Sequence, residues 1–164
     1  MKNLKESWKS MSQVISKFEG EHEFLSNFYP SKIIYDIDDG HIIYAPTVEH
    51  AFQAAKTSNW LEESDILIAP TPGKAKRLGR KCELRKDWEE VKDNIMRKFL
   101  CKKFAIPELR QKLLDTGDAY LIEGTTWHDN YWGICTCDKC GGRGQNKFGQ
   151  LLMEIRKEIR DGLV

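Results

Sequence analysis

Apolar residues recur at helical spacing in two long stretches, and they set the class of fold open to this chain. Trp88, Val91, Ile95, Phe99 and Phe104 mark one stretch. Phe148, Leu151, Leu152, Ile155 and Ile159 mark the other, with the 3- and 4-residue intervals of one helix face. Two amphipathic helices must bury those faces against something else. The remaining signals say what. Thr47 can cap a helix running from about Val48 to Asn59, and a helical stretch follows around Glu62 to Ala69. Thr71-Pro72 is a cap followed by proline at the first helical position, with Gly79 fitting the end. Pro107 opens another helix that stops near Gly117. Strand signals are short: Val14 to Phe18, Lys32 to Tyr35, His41 to Tyr44 and Tyr120 to Glu123. The turn-forming residues 36–40 predict a hairpin between the middle two. The expected fold is α+β, mostly helical with a small β-sheet. One compact domain is expected over residues 14–164, after an N-terminal extension of residues 1–13. In that extension Leu4, Trp8, Met11 and Ile15 fall at helical spacing, which fits a short packed helix or a frayed end.

The 164 residues suffice for one core and one cleft. A formal charge of +1 gives no global field towards nucleic acid or membrane, so any anion must be held by a few local cations. No apolar run approaches a membrane span and no signal region opens the chain. Of the five cysteines, three sit within six residues, which is not the pattern of a disulfide-stapled secreted domain. A reducing, cytoplasmic setting is expected.

Two segments draw attention chemically. In Val48-Glu49-His50-Ala51-Phe52-Gln53-Ala54-Ala55-Lys56, a helical rotation of about 100° per residue brings Glu49, Gln53 and Lys56 within roughly 60° of one another. Val48, Ala51, Phe52 and Ala55 cluster alongside, so the polar trio borders the buried face. Such a trio is either solvated surface or a carboxylate and an amine aimed into a cleft. The alanines leave room around it, and the aromatic loop at Phe24–Tyr29 offers an opposite wall. The second segment holds Trp127, His128, Asp129, Tyr131 and Trp132, ahead of the glycine run Gly141-Gly142-Arg143-Gly144. Aromatic faces stack bases and exclude water; they also plug core edges. The glycine run leads to a helix N-terminus that could cradle phosphate, with Asn146 placed to cap it. It matches neither a Walker loop nor a dinucleotide fingerprint.

Cys135-x-Cys137-x-x-Cys140 offers three thiolates in one loop, and His128 is the nearest candidate for a fourth metal ligand. The run resembles half of a zinc ribbon without its second half. The chain is read as needing no cofactor and no metal, with these cysteines as the alternative candidates.

Three stretches carry a resemblance to a known family. They are Phe24-Leu25-Ser26-Asn27-Phe28-Tyr29-Pro30; Thr47-Val48-Glu49-His50-Ala51-Phe52-Gln53-Ala54-Ala55-Lys56; and Trp132-Gly133 followed by Gly142-x-Gly144-x-Asn146-x-x-Gly149-x-Leu151-Leu152-Met153. Ala75-Lys76-x-x-Gly79-Arg80 and Trp88 fit the middle. In that order they resemble the NADAR (YbiA-like) family over about residues 17–157. The resemblance implies an N-glycosidase that hydrolyses the ribose C1–nitrogen bond of a base ribosyl phosphate or of ADP-ribosylated guanine. It implies Glu49, Lys56 and Asp129 as catalytic residues, leaving open whether the Lys56 amine or an activated water attacks C1. It further implies Ser26, Asn27, Phe28, Gln53, Arg80, Trp127, Trp132, Gly144 and Asn146 as substrate-binding residues. Arg80 would face phosphate, and Trp127, Asp129 and Trp132 would wall the sugar and base. The implied partner is a small ribosyl phosphate or ADP-ribose moiety, carried on a nucleic-acid guanine in one of the two classes. No membrane and no protein partner are implied. Two other readings compete. One is a module that binds ADP-ribose or another NAD derivative without cutting it; the other is a small zinc-ribbon interaction protein.

Overall fold

The computed structural model describes residues 13–164, so the helical reading of Leu4, Trp8 and Met11 lies outside the described residues. The protein is α+β with more helix than strand, and it forms two compact units.

One unit comprises Glu23–Lys112 with Val164. Its hairpin pairs β2 (Ile33–Asp38) with β3 (His41–Ala45) in antiparallel register, broken by a bulge between Ile34 and Asp36. The pairing extends further towards the tip than the turn-forming residues predict. Only Asp39 and Gly40 turn, both at positive φ (44° and 80°), as a two-residue hairpin demands. Then come α1 (Val48–Ala54), α2 (Trp60–Leu67), α3 (Pro72–Gly79), α4 (Trp88–Phe104) and α5 (Pro107–Asp115). The caps are those the sequence predicts: Thr47 accepts from His50 N, and Thr71 from Lys74 N with Pro72 at the first turn. Helix α1 packs against α2, α3 and α4. Ala51 and Ala54 let its backbone approach closely, and Phe52 meets Trp88 with ring centroids 5.0 Å apart. Leu25, Ile33, Val48, Ile66, Met96, Leu100 and Phe104 complete this core.

Helix α1 ends at Ala54, five residues before the expected Asn59. The polar run that follows captures the backbone for itself. Asn59 N donates to Thr57 Oγ1 (3.0 Å), and Thr57 Oγ1 donates to Glu62 Oε2 (2.7 Å). Lys56 therefore sits in the closing turn, its N–H on Gln53 O (3.2 Å), rather than on a continuing helix.

The second unit comprises residues 13–22 with Leu113–Leu163. Strand β1 (Val14–Ile15) runs parallel to β4 (Tyr120–Leu121). Strand β6 (Ile134–Cys135) lies between β5 (Gly124–Thr125), parallel to it, and β7 (Arg143–Gly144), antiparallel to it. Helix α6 (Lys147–Arg160) packs on β4 and buries Phe148, Leu152, Ile155 and Ile159. Phe18 meets Phe148 at 5.9 Å. The β5–β6–β7 sheet carries no sequence signal, because two-residue strands show no alternation. Backbone approach makes it: a Cβ on Gly144 would lie 2.1 Å from Gly133 O, so only glycine fits there. The stretch before Ser26, expected as loop, is a 3-10 helix over Gly20–Leu25.

Candidate active site

Glu49 stands in the first turn of α1, and its backbone N–H donates to Asn27 O (3.1 Å), tying the helix start to the 26–29 loop. One turn on, Gln53 Nε2 donates to Glu49 Oε1 (2.8 Å). Glu49 keeps 5% and Gln53 4% of their surface exposed. This is not a solvated helix face. Burial pushes the Glu49 carboxyl above the ordinary carboxylate range, against the opposing pull of Lys76, the Gln53 hydrogen bond and Lys56.

Lys56 is half-buried, with Nζ 5.8 Å from the ring centroids of both Phe52 and Trp88. Burial draws its amine below the ordinary lysine value; Glu49 pulls the other way, and the neighbouring cations Lys76 and Arg80 reinforce burial. Lys56, Lys76, Arg80 and Glu49 thus share one electrostatic neighbourhood. Lys76 was not anticipated as a site residue. It lies one helical turn before Arg80 on α3, and its Nζ is 5.8 Å from the Phe28 ring. That spacing was the available signal.

The 26–28 loop is held from below. Lys103 of α4, fully buried, donates to Ser26 O (2.7 Å). The Ser26 hydroxyl accepts from Phe28 N (3.2 Å) and so shapes the loop. Asn27 donates weakly to Met96 Sδ, at 3.5 Å, while its Oδ1 is buried without a hydrogen-bond partner among the described residues. Gln53 Oε1 is in the same condition. Buried acceptors of this kind are costly and suit a ligand rich in hydroxyl donors. His50, between them in sequence, is a satisfied core residue, bonded to Thr47 Oγ1 (2.8 Å) and Ala69 O (3.0 Å). Ser26, Asn27, Phe28, Glu49, Gln53, Lys56 and Arg80 all belong to this unit.

Trp127, Asp129, Trp132, Gly144 and Asn146 belong to the other. Trp127 is exposed, and Trp132 meets Tyr131 edge-on at 5.0 Å. Asp129 Oδ1 accepts from Tyr131 N (3.2 Å) and Trp132 N (2.9 Å), so one carboxylate oxygen is engaged in folding the aromatic loop. Asn146 stands at the α6 N-cap position but makes no capping bond, contrary to expectation. Its backbone is left-handed, with φ 52°, and its side chain reaches away from the helix. Nδ2 donates to Leu121 O (2.9 Å) and Oδ1 accepts from Glu123 N (3.0 Å), which locks the β4–β5 connection. In the same unit His128, Cys135, Cys137 and Cys140 gather their ligand atoms within 4.8 Å of one another.

The chain resembles characterised proteins over most of its length. N-glycosidase YbiA of Escherichia coli is 44% identical over 117 residues, 70% of each chain. The NMR structure of that protein matches with a TM-score of 0.73 and 37% identity, covering 93% of this chain and 88% of that one. N-glycosidase Npun_R5314 of Nostoc punctiforme is 40% identical over 146 residues, 83% of this chain and 85% of its own. The riboflavin biosynthesis protein PYRR of Zea mays is 36% identical over 152 residues, 82% of this chain but 23% of its own length. The NADAR domain model matches residues 15–160, and the chain belongs to the NADAR family.

Proposed function

We propose that this protein, a hydrolase of N-glycosyl bonds by its family, cleaves the ribose C1–nitrogen bond of a base ribosyl phosphate or of ADP-ribose carried on guanine. The observation that carries the reading is the buried Glu49–Gln53 pair beside Lys56, an amine whose proton burial loosens. A surface helix has no use for a sealed carboxylate and a half-buried lysine. A reaction that builds positive charge on a sugar has use for both.

The chemistry follows from those groups. As the C1–N bond breaks, its electron pair leaves with the base, which takes up a proton. The ionised Glu49 carboxylate stabilises the cationic sugar in a site where water is scarce. The neutral Lys56 amine bonds to C1, the ring C1–O bond opens onto a proton, and an imine forms. Water then adds to that carbon and frees both lysine and sugar. The unpaired acceptors on Asn27 and Gln53 suit ribose hydroxyls, and the cations Lys76 and Arg80 suit phosphate. Trp127, Asp129, Trp132, Gly144 and Asn146, all of the other unit, are proposed as substrate residues on the family resemblance alone. Among the described residues no helix is long and apolar enough to cross a membrane. A reducing cytoplasm, where cysteine thiols persist, is the setting proposed for this protein.

The test is a release assay on two substrates, ADP-ribosylated guanine in an oligonucleotide and a ribosylaminopyrimidine phosphate, followed by mass spectrometry. Release from one, abolished in Lys56→Ala, supports the reading and selects the substrate class. Tight binding of free ADP-ribose with no release from either would replace it with a non-catalytic reader.

A further inference from the structure

We propose that His128 Nδ1 and the Sγ atoms of Cys135, Cys137 and Cys140 form a closed, tetrahedral zinc site that fastens the aromatic loop 126–132 to the β6–β7 hairpin. This replaces the expectation of a metal-free chain, and it stands independently of the proposed reaction.

Geometry is the first support. His128 Nδ1 lies 3.2 Å from Cys137 Sγ and 3.4 Å from Cys140 Sγ. In a tetrahedron with zinc–sulfur and zinc–nitrogen bonds of about 2.3 and 2.0 Å, nitrogen–sulfur edges come to roughly 3.5 Å. All four ligand atoms lie within 4.8 Å of one another, so closure around an ion needs shifts on the order of an ångström.

The second support is how the chain is bent to bring them there. Cys135 ends β6, and Gly142, just ahead of β7, donates its N–H to Cys135 O (2.9 Å). Cys137 and Cys140 flank the tight turn between, where the N–H groups of Cys140 and Gly141 both reach Cys137 O (3.1 and 2.8 Å). Gly141 and Gly142 follow at positive φ, 59° and 79°, returning the chain at once. His128 comes from the loop between β5 and β6 and is itself left-handed, with φ 66°. Few non-glycine residues take that conformation, histidine more readily than most. Here its backbone N–H meets Cys135 Sγ (3.3 Å) while its ring meets the other two thiols.

The surroundings suit thiolates. Asn130 Nδ2 donates to Cys140 Sγ (3.4 Å), and His128 N does the same for Cys135; such donors orient and stabilise metal-bound sulfur. The Arg143 guanidinium folds over the turn, donating to Cys140 O (2.7 Å) and Lys139 O (2.8 Å), which places positive charge beside a site whose net charge with zinc is negative. Three sulfurs and one imidazole select zinc over calcium, magnesium or manganese. Four protein ligands leave no open position, so the role is structural. That role is needed where it sits, since strands of two residues make few ladder bonds. The metal would fix Trp127 and Asp129, the neighbours of His128, against the segment that leads into Asn146 and α6.

The test uses the full chain. Protein purified without added metal is assayed by elemental mass spectrometry, then stripped with chelator and titrated with cobalt(II). Expected are about one zinc per chain and, with cobalt, the intense visible bands of tetrahedral thiolate coordination. Cys82→Ser, outside the cluster, should keep both signals, and Cys137→Ser should lose them. Stripping should lower Tm. Because the cobalt titration is made on the unaltered sequence, it decides the question even if Cys137→Ser fails to fold. No thiolate-to-cobalt bands, or a disulfide among Cys135, Cys137 and Cys140 in freshly isolated protein, would overturn the proposal.

Discussion

Gln53 Nε2 donates to Glu49 Oε1 at 2.8 Å, one helical turn away, and both side chains are almost sealed from solvent. A carboxylate is being held in one orientation in a place that disfavours its charge.

Glu49→Gln should therefore separate stability from activity. Burial raises the Glu49 carboxyl above its ordinary value, so the folded chain holds that proton more tightly than the unfolded one. The stability linked to this group is complete below the unfolded carboxylate value and is lost as pH rises through the folded one. Glutamine keeps the acceptor for Gln53 and removes that loss. Tm of the variant should exceed that of the native chain at about pH 8 and converge with it near about pH 4. Turnover should fall about 10²–10³-fold. Calorimetry across pH, alongside base release, checks both.

Gly79→Ala reaches the same pair from α3. A Cβ there would lie 2.2 Å from Gln53 Oε1 and 2.8 Å from Gln53 Cβ. Gln53 must move and release Glu49. A net destabilisation of about 1–2 kcal/mol is expected despite the better helix propensity of alanine. Activity should drop more than that loss of stability explains, measured well below Tm.

The rate should carry two pH limbs. Glu49 must be ionised, with a midpoint above its ordinary 4.5, and Lys56 must be neutral, with a midpoint below its ordinary 10.5. Lys76 is the largest of the charges holding the Glu49 value down. In Lys76→Met the acid limb should move to higher pH, and KM for a phosphorylated substrate should rise. An unmoved limb would remove Lys76 from the site.

Asn146→Ala should cost about 2–4 kcal/mol, because Leu121 O and Glu123 N lose their partners in a buried place. Urea unfolding measures it. Had Asn146 been an ordinary helix cap, about 1 kcal/mol would be expected instead.

Much of the helical frame was legible, and for a physical reason. Trp88–Phe104 follows from its apolar period, and Pro72–Gly79 from Thr71, the proline behind it and the closing glycine. Those signals are local. The end of α1 was not legible, because Thr57 and Asn59 compete for the backbone only when Glu62 is folded back beside them. Strands β5 to β7 were invisible because glycine contacts across the chain create them, as at Gly133 and Gly144. At the candidate site, the spacing of Glu49 and Gln53 placed them on one stripe, but nothing in it said that the stripe would be buried. Asn146 illustrates the reverse: its position at a helix start was plain, while its partners, Leu121 and Glu123, lie far back in the chain. The three cysteines announced themselves by spacing and His128 by its nearness in the chain; what the sequence did not foretell is the left-handed turn that brings its ring to them.

The most direct test of the assignment of Lys56 is hydride trapping during turnover. Substrate is mixed with the native chain and borohydride, and the digest is read by mass spectrometry. Reduction of the imine should leave a ribosyl adduct on the peptide containing Lys56, and Lys56→Ala should release base about 10²–10⁴-fold more slowly. Full base release by Lys56→Ala, with no adduct on the native chain, would contradict it.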